Sequence, residues 1–154
     1  MRARPLLLLI AALAAVAALA TVTGVAGAAS MASHKAASVH VRRTKVGRIL
    51  VTARGRTLYL FLKDKKNKSE CAGACAKFWP PLMTTGRPKL GRHVEHRLIG
   101  TIARRGGRQV TYDGHPLYTF IADKKAGQMK GQGLNQFGAL WWVVAPNGHK
   151  ITKH

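Results

Sequence analysis

One short motif occurs twice in the chain, and it limits the folds that the chain can adopt. Residues 58–66 read LYLFLKDKK and residues 117–125 read LYTFIADKK. When residues 51–66 are aligned with residues 110–125 without a gap, Val, Thr, Gly, Leu, Tyr, Phe, Asp, Lys and Lys recur in the same order. Such agreement predicts two halves that share one supersecondary unit. The repeated positions that could carry chemistry are Tyr59, Phe61 and Asp64 in the first copy and Tyr118, Phe120 and Asp123 in the second.

The shared unit has the pattern of a β-hairpin. In the second copy, Asp113 and Gly114 stand between two extended runs, and Asp-Gly favours a two-residue type I′ turn because both central residues need positive φ. The first copy has Arg54 and Gly55 at the same place. Since Arg is less suited to positive φ, the first turn is expected to differ in type. The strand that follows has apolar side chains on both faces, which predicts that it is covered on both sides.

Further hairpin signals follow along the chain. Residues 97–103 and 108–112 flank one glycine-containing turn, and residues 140–145 and 149–152 flank another. A helix is predicted over Glu70–Trp79, where a Pro-Pro pair stops it. Short strands separated by glycine turns predict a mainly β domain. We expect a small antiparallel β sandwich or a partly open barrel, built from two related hairpin repeats with one short helix.

The N-terminal segment has the features of a secretory signal peptide. Arg2 and Arg4 form a positively charged start, residues 6–20 are apolar, and Ala26-Gly27-Ala28 is an A-x-A cleavage site. Residues 1–28 are therefore predicted to be a signal peptide that is removed. An uncleaved membrane anchor is the alternative, because the apolar run is close to the minimum length for spanning a bilayer. No cysteine stands near the cleavage site, so the chain is expected not to be lipid-anchored.

The rest of the chain divides into two parts by composition. Residues 29–44 are small, polar and basic without periodicity, which predicts a flexible basic leader. Residues 45–154 show short β-rich runs broken by glycines, which is typical of a single β domain of modest size. The two repeats are expected at about residues 46–90 and 97–152.

The composition is strongly basic. The chain carries 26 Lys and Arg against 5 Asp and Glu, which gives a formal net charge of +21. Such a surface attracts polyanions, and an anionic cell-wall or extracellular polymer is the expected partner outside the cell. The cations are spread along the chain and not gathered in one block, which argues against specific nucleic-acid recognition. Membrane contact is expected only through the signal peptide, and the oligomeric state is left open.

Asp64 and Asp123 end the two copies of the motif and admit two interpretations. As a structural residue, each Asp accepts backbone N–H bonds in an Asx-turn through the two lysines that follow it. As functional residues, the two carboxylates would face a shared ligand or metal, or would do acid–base work. The structural interpretation is favoured, because a hard cation gathers several oxygen ligands and few other acids are available.

The two cysteines, Cys71 and Cys75, also admit two interpretations. Export into an oxidising compartment favours a disulfide between them, and a separation of four residues in a tight loop is short enough for one. The alternative is a zinc or copper site, in which the two thiolates are joined by His93 and His96. The disulfide is favoured.

No catalytic motif accompanies these residues. The chain contains no Gly-x-Ser-x-Gly, no phosphate-binding glycine loop and no His-Glu-x-x-His. We therefore predict no catalytic residues, no cofactor and no enzymatic activity. An enzyme that uses Asp64 and Asp123 is the weaker hypothesis.

Four segments, taken in order, resemble one protein family. They read LYLFLKDKK, CAGACAKFWPPL, LIGTIARRGGRQVTYDGHPLYTFIAD and GQGLNQFGALWWVVAPNG, and the resemblance covers about residues 47–148. The chain resembles the secreted repeats of unknown function, which include predicted bacterial lipoproteins and carry a Tyr-x-(Phe/Trp/Tyr)-x-x-Asp motif. Because the chain lacks the lipidated cysteine of the lipoproteins, the resemblance implies soluble secretion or loose wall association. The family has no established reaction.

These features together predict an exported, non-enzymatic binding or structural protein of the bacterial cell envelope or medium. Its net charge suggests affinity for anionic polymers. The alternative function is an extracytoplasmic copper- or zinc-binding or thiol-redox protein. That protein would use Cys71 and Cys75, with His93 or His96 as further ligands.

Overall fold

The structure is a computed structural model and describes residues 35–153. The predicted signal peptide, residues 1–28, and the first part of the predicted leader lie outside the described residues. Within the described part, no helix is both long and apolar enough to cross a membrane.

The described chain is mainly β, as predicted, and contains one short α-helix. The helix, α1, runs over Ala74–Phe78, and a single 3₁₀ turn covers His96–Leu98. The strands, in chain order, are β1 (Ser38–Thr44), β2 (Gly47–Thr52), β3 (Tyr59–Phe61), β4 (Met83–Thr84), β5 (Lys89–Leu90), β6 (Ile99–Arg104), β7 (Gly107–Tyr112), β8 (His115–Pro116), β9 (Asn135–Gln136) and β10 (Ala139–Val143).

The prediction of a flexible leader over residues 29–44 is wrong for its second half, because Ser38–Thr44 form β1. This strand pairs along its whole length with β2 and at its start with β5. Only Val39 is fully buried along this strand, so buried and exposed side chains do not alternate regularly in it. Pairing on both sides supplies the stability that local propensity does not.

Each repeat begins with a pair of antiparallel strands, β1–β2 in the first and β6–β7 in the second. The second pair confirms the hairpin predicted over residues 97–112. Asp113 and Gly114, with φ of 48° and 74°, then form the expected type I′ turn between β7 and β8. The first copy turns differently, as expected. The Gly55 N–H donates to the Thr52 carbonyl at 2.8 Å, and Gly55 alone takes positive φ there, at 74°, which is the pattern of a three-residue loop with a bulge.

The strands form three small sheets, ordered β2-β1-β5, β3-β10-β9 and β4-β7-β6, with β8 added beside β7. Among residues 35–153 these sheets stay open and do not close into one barrel. All pairings between the strands are antiparallel except β1 with β5, which is parallel over two residues. The predicted antiparallel architecture is therefore confirmed apart from this short contact.

Helix α1 is shorter than the predicted Glu70–Trp79. It starts after Gly73, because the φ of 55° and ψ of −122° at Gly73 lie outside the helical region. It ends at Phe78, because the next residue, Trp79, has an extended φ of −121°. The residue before a proline is pushed out of the helical region by the proline ring, and Pro80 acts on Trp79 in this way.

Two clusters of buried side chains form the interior. One cluster is largely aliphatic and includes Val39, Leu50, Leu58, Leu60 and Leu117. The other is rich in aromatic residues and contains both copies of the repeated motif. Its fully buried large side chains are Tyr59, Phe61, Trp79, Tyr118 and Trp141.

Candidate functional site

The two copies of the motif meet at their tyrosines. The Tyr59 N–H donates to the Tyr118 carbonyl at 2.9 Å, and the Tyr118 N–H donates to the Tyr59 carbonyl at 3.0 Å. This reciprocal pair forms an antiparallel bridge between β3 and the second copy of the motif, with a local two-fold relation between the repeats. Both tyrosine side chains are fully buried.

From this meeting point each tyrosine reaches the aspartate of the other copy. The Tyr59 hydroxyl donates to Asp123 Oδ2 at 2.6 Å. The Tyr118 hydroxyl donates to Asp64 Oδ2 at 2.7 Å. Each motif therefore supplies a donor to its partner and receives one in return, so neither copy completes its own pair.

The second oxygen of each carboxylate closes a loop. Asp64 Oδ1 accepts the backbone N–H of Glu70 at 2.7 Å, six residues along the chain. Asp123 Oδ1 accepts the N–H of Lys130 at 2.9 Å, seven residues along. The carboxylates thus hold backbone donors as the structural interpretation required, but the predicted Asx-turn through the adjacent lysines is wrong. These bonds instead span whole loops of the kind whose ends lie close together.

Between the two Tyr–Asp pairs, four aromatic rings stack in sequence. The ring centroids are 4.1 Å apart for Phe61 and Trp141, 3.9 Å for Trp141 and Trp79, and 4.2 Å for Trp79 and Phe120. Tyr118 meets Trp141 edge-on at 5.2 Å, and Tyr59 meets Trp79 edge-on at the same distance. Each motif phenylalanine therefore ends the stack, and each motif tyrosine packs against one of the tryptophans. Such contacts add to the stability that burial of the rings provides.

Burial is the largest influence on the ionisation of this cluster. It raises the pKa of Tyr59 and of Tyr118 well above the ordinary tyrosine value, and the neighbouring aspartates raise both further. It also raises the pKa of Asp64 and Asp123, although the hydrogen bonds that each carboxylate accepts oppose the shift. The hydroxyls therefore stay protonated and act as donors, which suits positioning and not general-base chemistry.

The cysteines form the predicted disulfide, with Cα atoms 5.3 Å apart. The proposed metal ligands are not assembled, because both thiols are used in the disulfide and His93 and His96 lie exposed on the surface. Among residues 35–153 no group of three or more His, Cys, Asp or Glu side chains could hold a metal ion. The copper, zinc or thiol-redox alternative is therefore not favoured.

A cleft of about 670 Å³ lies beside the Asp64–Tyr118 pair. Ser69, which lines it, contacts the Tyr118 hydroxyl at 2.7 Å. Arg104 reaches Ser69 and Gln109, at 2.6 Å in each case, and also the Cys71 carbonyl. Sequence reasoning missed Arg104, because it stood within a predicted turn. The cleft is lined by Asn67, Lys68, Ser69, Cys71, Ala72, Gly73, Ile102, Ala103, Arg104 and Arg105.

Comparison with known proteins identifies the repeats directly. A family model described as a secreted repeat of unknown function matches residues 40–83 and again residues 100–145. The first match begins within β1, which agrees with β1 being part of the first repeat. No curated protein and no solved structure matches the chain.

Proposed function

Because the chain belongs to the family of secreted repeats of unknown function, we propose that it is a non-enzymatic binding module that attaches to anionic polymers of the bacterial cell envelope or medium. The two repeats form the rigid part of the module, and the basic side chains on its surface form the contacts. The module acts outside the cell after removal of its signal peptide.

The observation that carries the proposal is the distribution of charge on the folded chain. Among residues 35–153, every Lys and Arg is exposed except Arg56 and Arg104, which are half-buried. The acids offer little compensation on the surface, since Asp123 is fully buried and Asp64 is half-buried against Tyr118. A surface on which positive charges far outnumber negative charges attracts a polyanion.

The exposed acids are already paired. Glu70 contacts Lys68 at 2.9 Å, and Glu95 contacts Arg97 at 3.7 Å. Among residues 35–153 the direct ion pairs therefore engage only Lys68 and Arg97 of the exposed cations. The loop after Asp64 carries Lys65, Lys66 and Lys68, and the loop after Asp123 carries Lys124, Lys125 and Lys130.

The chain is proposed to lack enzymatic activity because its candidate acid–base groups, the tyrosine hydroxyls and aspartate carboxylates, are engaged inside the fold. Both tyrosine hydroxyls donate to carboxylates, and both carboxylates also hold backbone N–H groups. These groups are engaged in joining the repeats and closing the loops. A general base must instead be free to take a proton from a substrate within hydrogen-bond reach.

Retention on beads that carry a phosphate-bearing polymer, compared with uncharged dextran beads, tests the proposal. The chain should bind the anionic beads at about 50 mM salt and should be released steeply before about 200 mM, because each contact releases counterions. It should pass through the uncharged beads at both salt concentrations. Equal retention on the two resins at low salt would contradict the proposal.

A charge-matched pair of variants sharpens the assay. Lys65→Ala/Lys66→Ala and Lys124→Ala/Lys125→Ala each remove two exposed cations from equivalent loops of the two repeats. Diffuse attraction predicts that both variants elute earlier by similar amounts. Elution at the wild-type salt concentration for both would show that charge does not determine the binding.

A further inference from the structure

The two Tyr–Asp pairs differ in what covers them, and this difference points to a site. Asp123 is fully buried, so its pair is sealed from solvent. Asp64 is half-buried, and the cleft defined above opens beside it, at Ser69. A volume of about 670 Å³ falls within the range of about 300–1,000 Å³ that is usual for small-molecule sites.

The charged group of the cleft is held in a fixed position. Arg104 Nη1 donates to Ser69 Oγ and to Gln109 Oε1, both at 2.6 Å, and Nη2 donates to the Cys71 carbonyl. Gln109 is itself fully buried and is fixed by a bond from its Nε2 to the Leu117 carbonyl at 2.9 Å. A guanidinium positioned in this way loses little freedom when it binds a ligand, which favours affinity.

The charge of Arg104 interacts with the half-buried carboxylate of Asp64 but makes no direct ion pair with it. Its hydrogen-bond partners, a hydroxyl, an amide and a backbone carbonyl, are all neutral. It takes part in neither of the two ion pairs found among residues 35–153. A half-buried cation is disfavoured by desolvation unless an anion accompanies it. An anionic ligand in the cleft would give Arg104 the direct anionic partner that Asp64 does not provide.

The remaining walls suit a small organic acid. Arg105, exposed at the end of the β6–β7 hairpin, adds a second cation, and Lys68, which is paired with Glu70, adds a third. Asn67 offers an amide. The disulfide at Cys71 and the side chains of Ala72 and Ile102 give apolar surface. Carbon atoms of a glycerol or sugar unit can pack on such surface while its acid group meets the guanidinium groups.

We propose that this cleft binds one acidic unit of an anionic polymer, with the phosphate or carboxylate group held by Arg104 and Arg105. The inference rests on the proposed function and adds to it a defined site and a ligand class. Diffuse attraction brings the polymer to the surface, and the cleft selects the acidic unit.

The test is a titration of the ¹⁵N-labelled chain, followed by amide chemical shifts, with four small probes. Glycerol 1-phosphate carries the phosphate, glucuronate carries the carboxylate, and glycerol and glucose are their uncharged controls. At least one acid should give saturable shifts concentrated at residues 67–73 and 102–105, and the uncharged probes should give none. The acid that saturates at lower concentration identifies the source of the anionic group.

Two variants and a matched control separate the cleft from general charge. Arg105→Ala removes an exposed cation and should weaken binding about tenfold, the effect of one charge-assisted hydrogen bond. Arg104→Gln should abolish the saturable shifts, and its thermal unfolding reports whether the fold persists. If Arg104→Gln unfolds, Arg105→Ala decides alone. Lys124→Ala removes one exposed cation outside the cleft and should leave the affinity unchanged.

The outcomes distinguish the two proposals. Shifts that do not saturate, or equal weakening by Arg105→Ala and Lys124→Ala, would overturn the cleft while bead binding could still support the proposed function. Saturable binding in the cleft by a chain that fails the bead assay would reject the proposed function and keep the site. Saturable binding that is weakened in Arg105→Ala but unchanged in Lys124→Ala supports the cleft.

Discussion

The Tyr59–Asp123 pair and the Tyr118–Asp64 pair have the same bonds in different surroundings. The first is sealed, since both of its side chains are fully buried and the Tyr59 hydroxyl also accepts the Gly131 N–H at 3.3 Å. The second is half-open, and its Tyr118 hydroxyl contacts Ser69 at the edge of the cleft. The motif bonds are thus maintained whether or not solvent reaches the aspartate. They join the repeats, while the difference in exposure decides where a ligand could enter.

The loops that the two aspartates close are also held in different ways. In the first repeat the Cys71–Cys75 disulfide lies directly after the loop that Asp64 closes at Glu70. The second has no cysteine and uses Gln132, which donates to the Ile151 carbonyl at 2.6 Å and accepts the Val143 N–H at 3.0 Å. A disulfide therefore follows the first loop, and the hydrogen bonds of a half-buried amide follow the second.

The largest expected effect comes from removing the carboxylates one at a time. Asp123→Ala would leave the Tyr59 hydroxyl and the Lys130 N–H without acceptors inside the protein, and should lower the free energy of unfolding by about 3–4 kcal/mol. Asp64→Ala should lower it by only about 1–2 kcal/mol, because water reaches that site. Urea denaturation of both variants measures the difference.

A double-mutant cycle provides the control for this comparison. Tyr59→Phe should couple to Asp123→Ala by about 1 kcal/mol or more, and should add independently to Asp64→Ala. Coupling of Tyr59 to Asp64, within its own copy, would contradict the crosswise arrangement.

The next largest effect on stability concerns the residue that directly follows each backbone N–H group bound by an aspartate. These positions are Cys71 in the first repeat and Gly131 in the second. A Cβ at Gly131 would lie 2.5 Å from the Trp79 ring and 3.0 Å from the Tyr59 ring, so Gly131→Ala should destabilise by about 2–3 kcal/mol. Thermal unfolding tests this, with Gly86→Ala as a control, because nothing lies within 4 Å of a Cβ at Gly86. Equal melting temperatures for the two variants would show that the second loop can move away from the ring stack.

Removal of the disulfide should have a smaller effect. Cys71→Ser/Cys75→Ser opens a loop of few residues, so the stability lost should be about 2 kcal/mol or less. The loss should be confined to the first repeat, which hydrogen exchange can resolve. Faster exchange around Gln132 as well would mean that the disulfide stabilises both loops.

The smallest effect is a dependence of stability on pH. Burial raises the pKa of Asp123 above its ordinary value of 3.8, so the folded chain retains a proton that the unfolded chain has released. The contribution of this group is therefore greatest at low pH and falls as pH rises from about 3.8 through the folded pKa. The difference in unfolding free energy between the wild type and Asp123→Asn should shrink across that window.

Other titrating groups do not disturb this difference. The hydrogen bond from Lys68 lowers the pKa of Glu70, and burial lowers the pKa of His115. Both groups are present in the wild type and in the variant, so their contributions cancel. A difference that grows with pH would contradict the assigned direction for Asp123.

Much of the fold could be predicted because its signals are local. The Asp113-Gly114 turn follows from the backbone angles that those residues tolerate, and the disulfide follows from two nearby cysteines. The crosswise pairs could not be predicted, since Tyr59 and Asp123 are 64 residues apart and the motif does not say which copy each tyrosine contacts. Strand β1 was missed for a similar reason, because its partners β2 and β5, and not its own pattern, define it.

The crosswise bonds make the duplicated chain a single cooperative unit in folding. Either half alone would contain a tyrosine without its acceptor and an aspartate without its donor, together with only part of the ring stack. The stabilising contacts form only after residues distant in sequence have met, so the entropy of closing a long loop is lost first. Such a topology folds slowly for its size and unfolds without a stable half. Duplication here has produced two repeats but one folding unit.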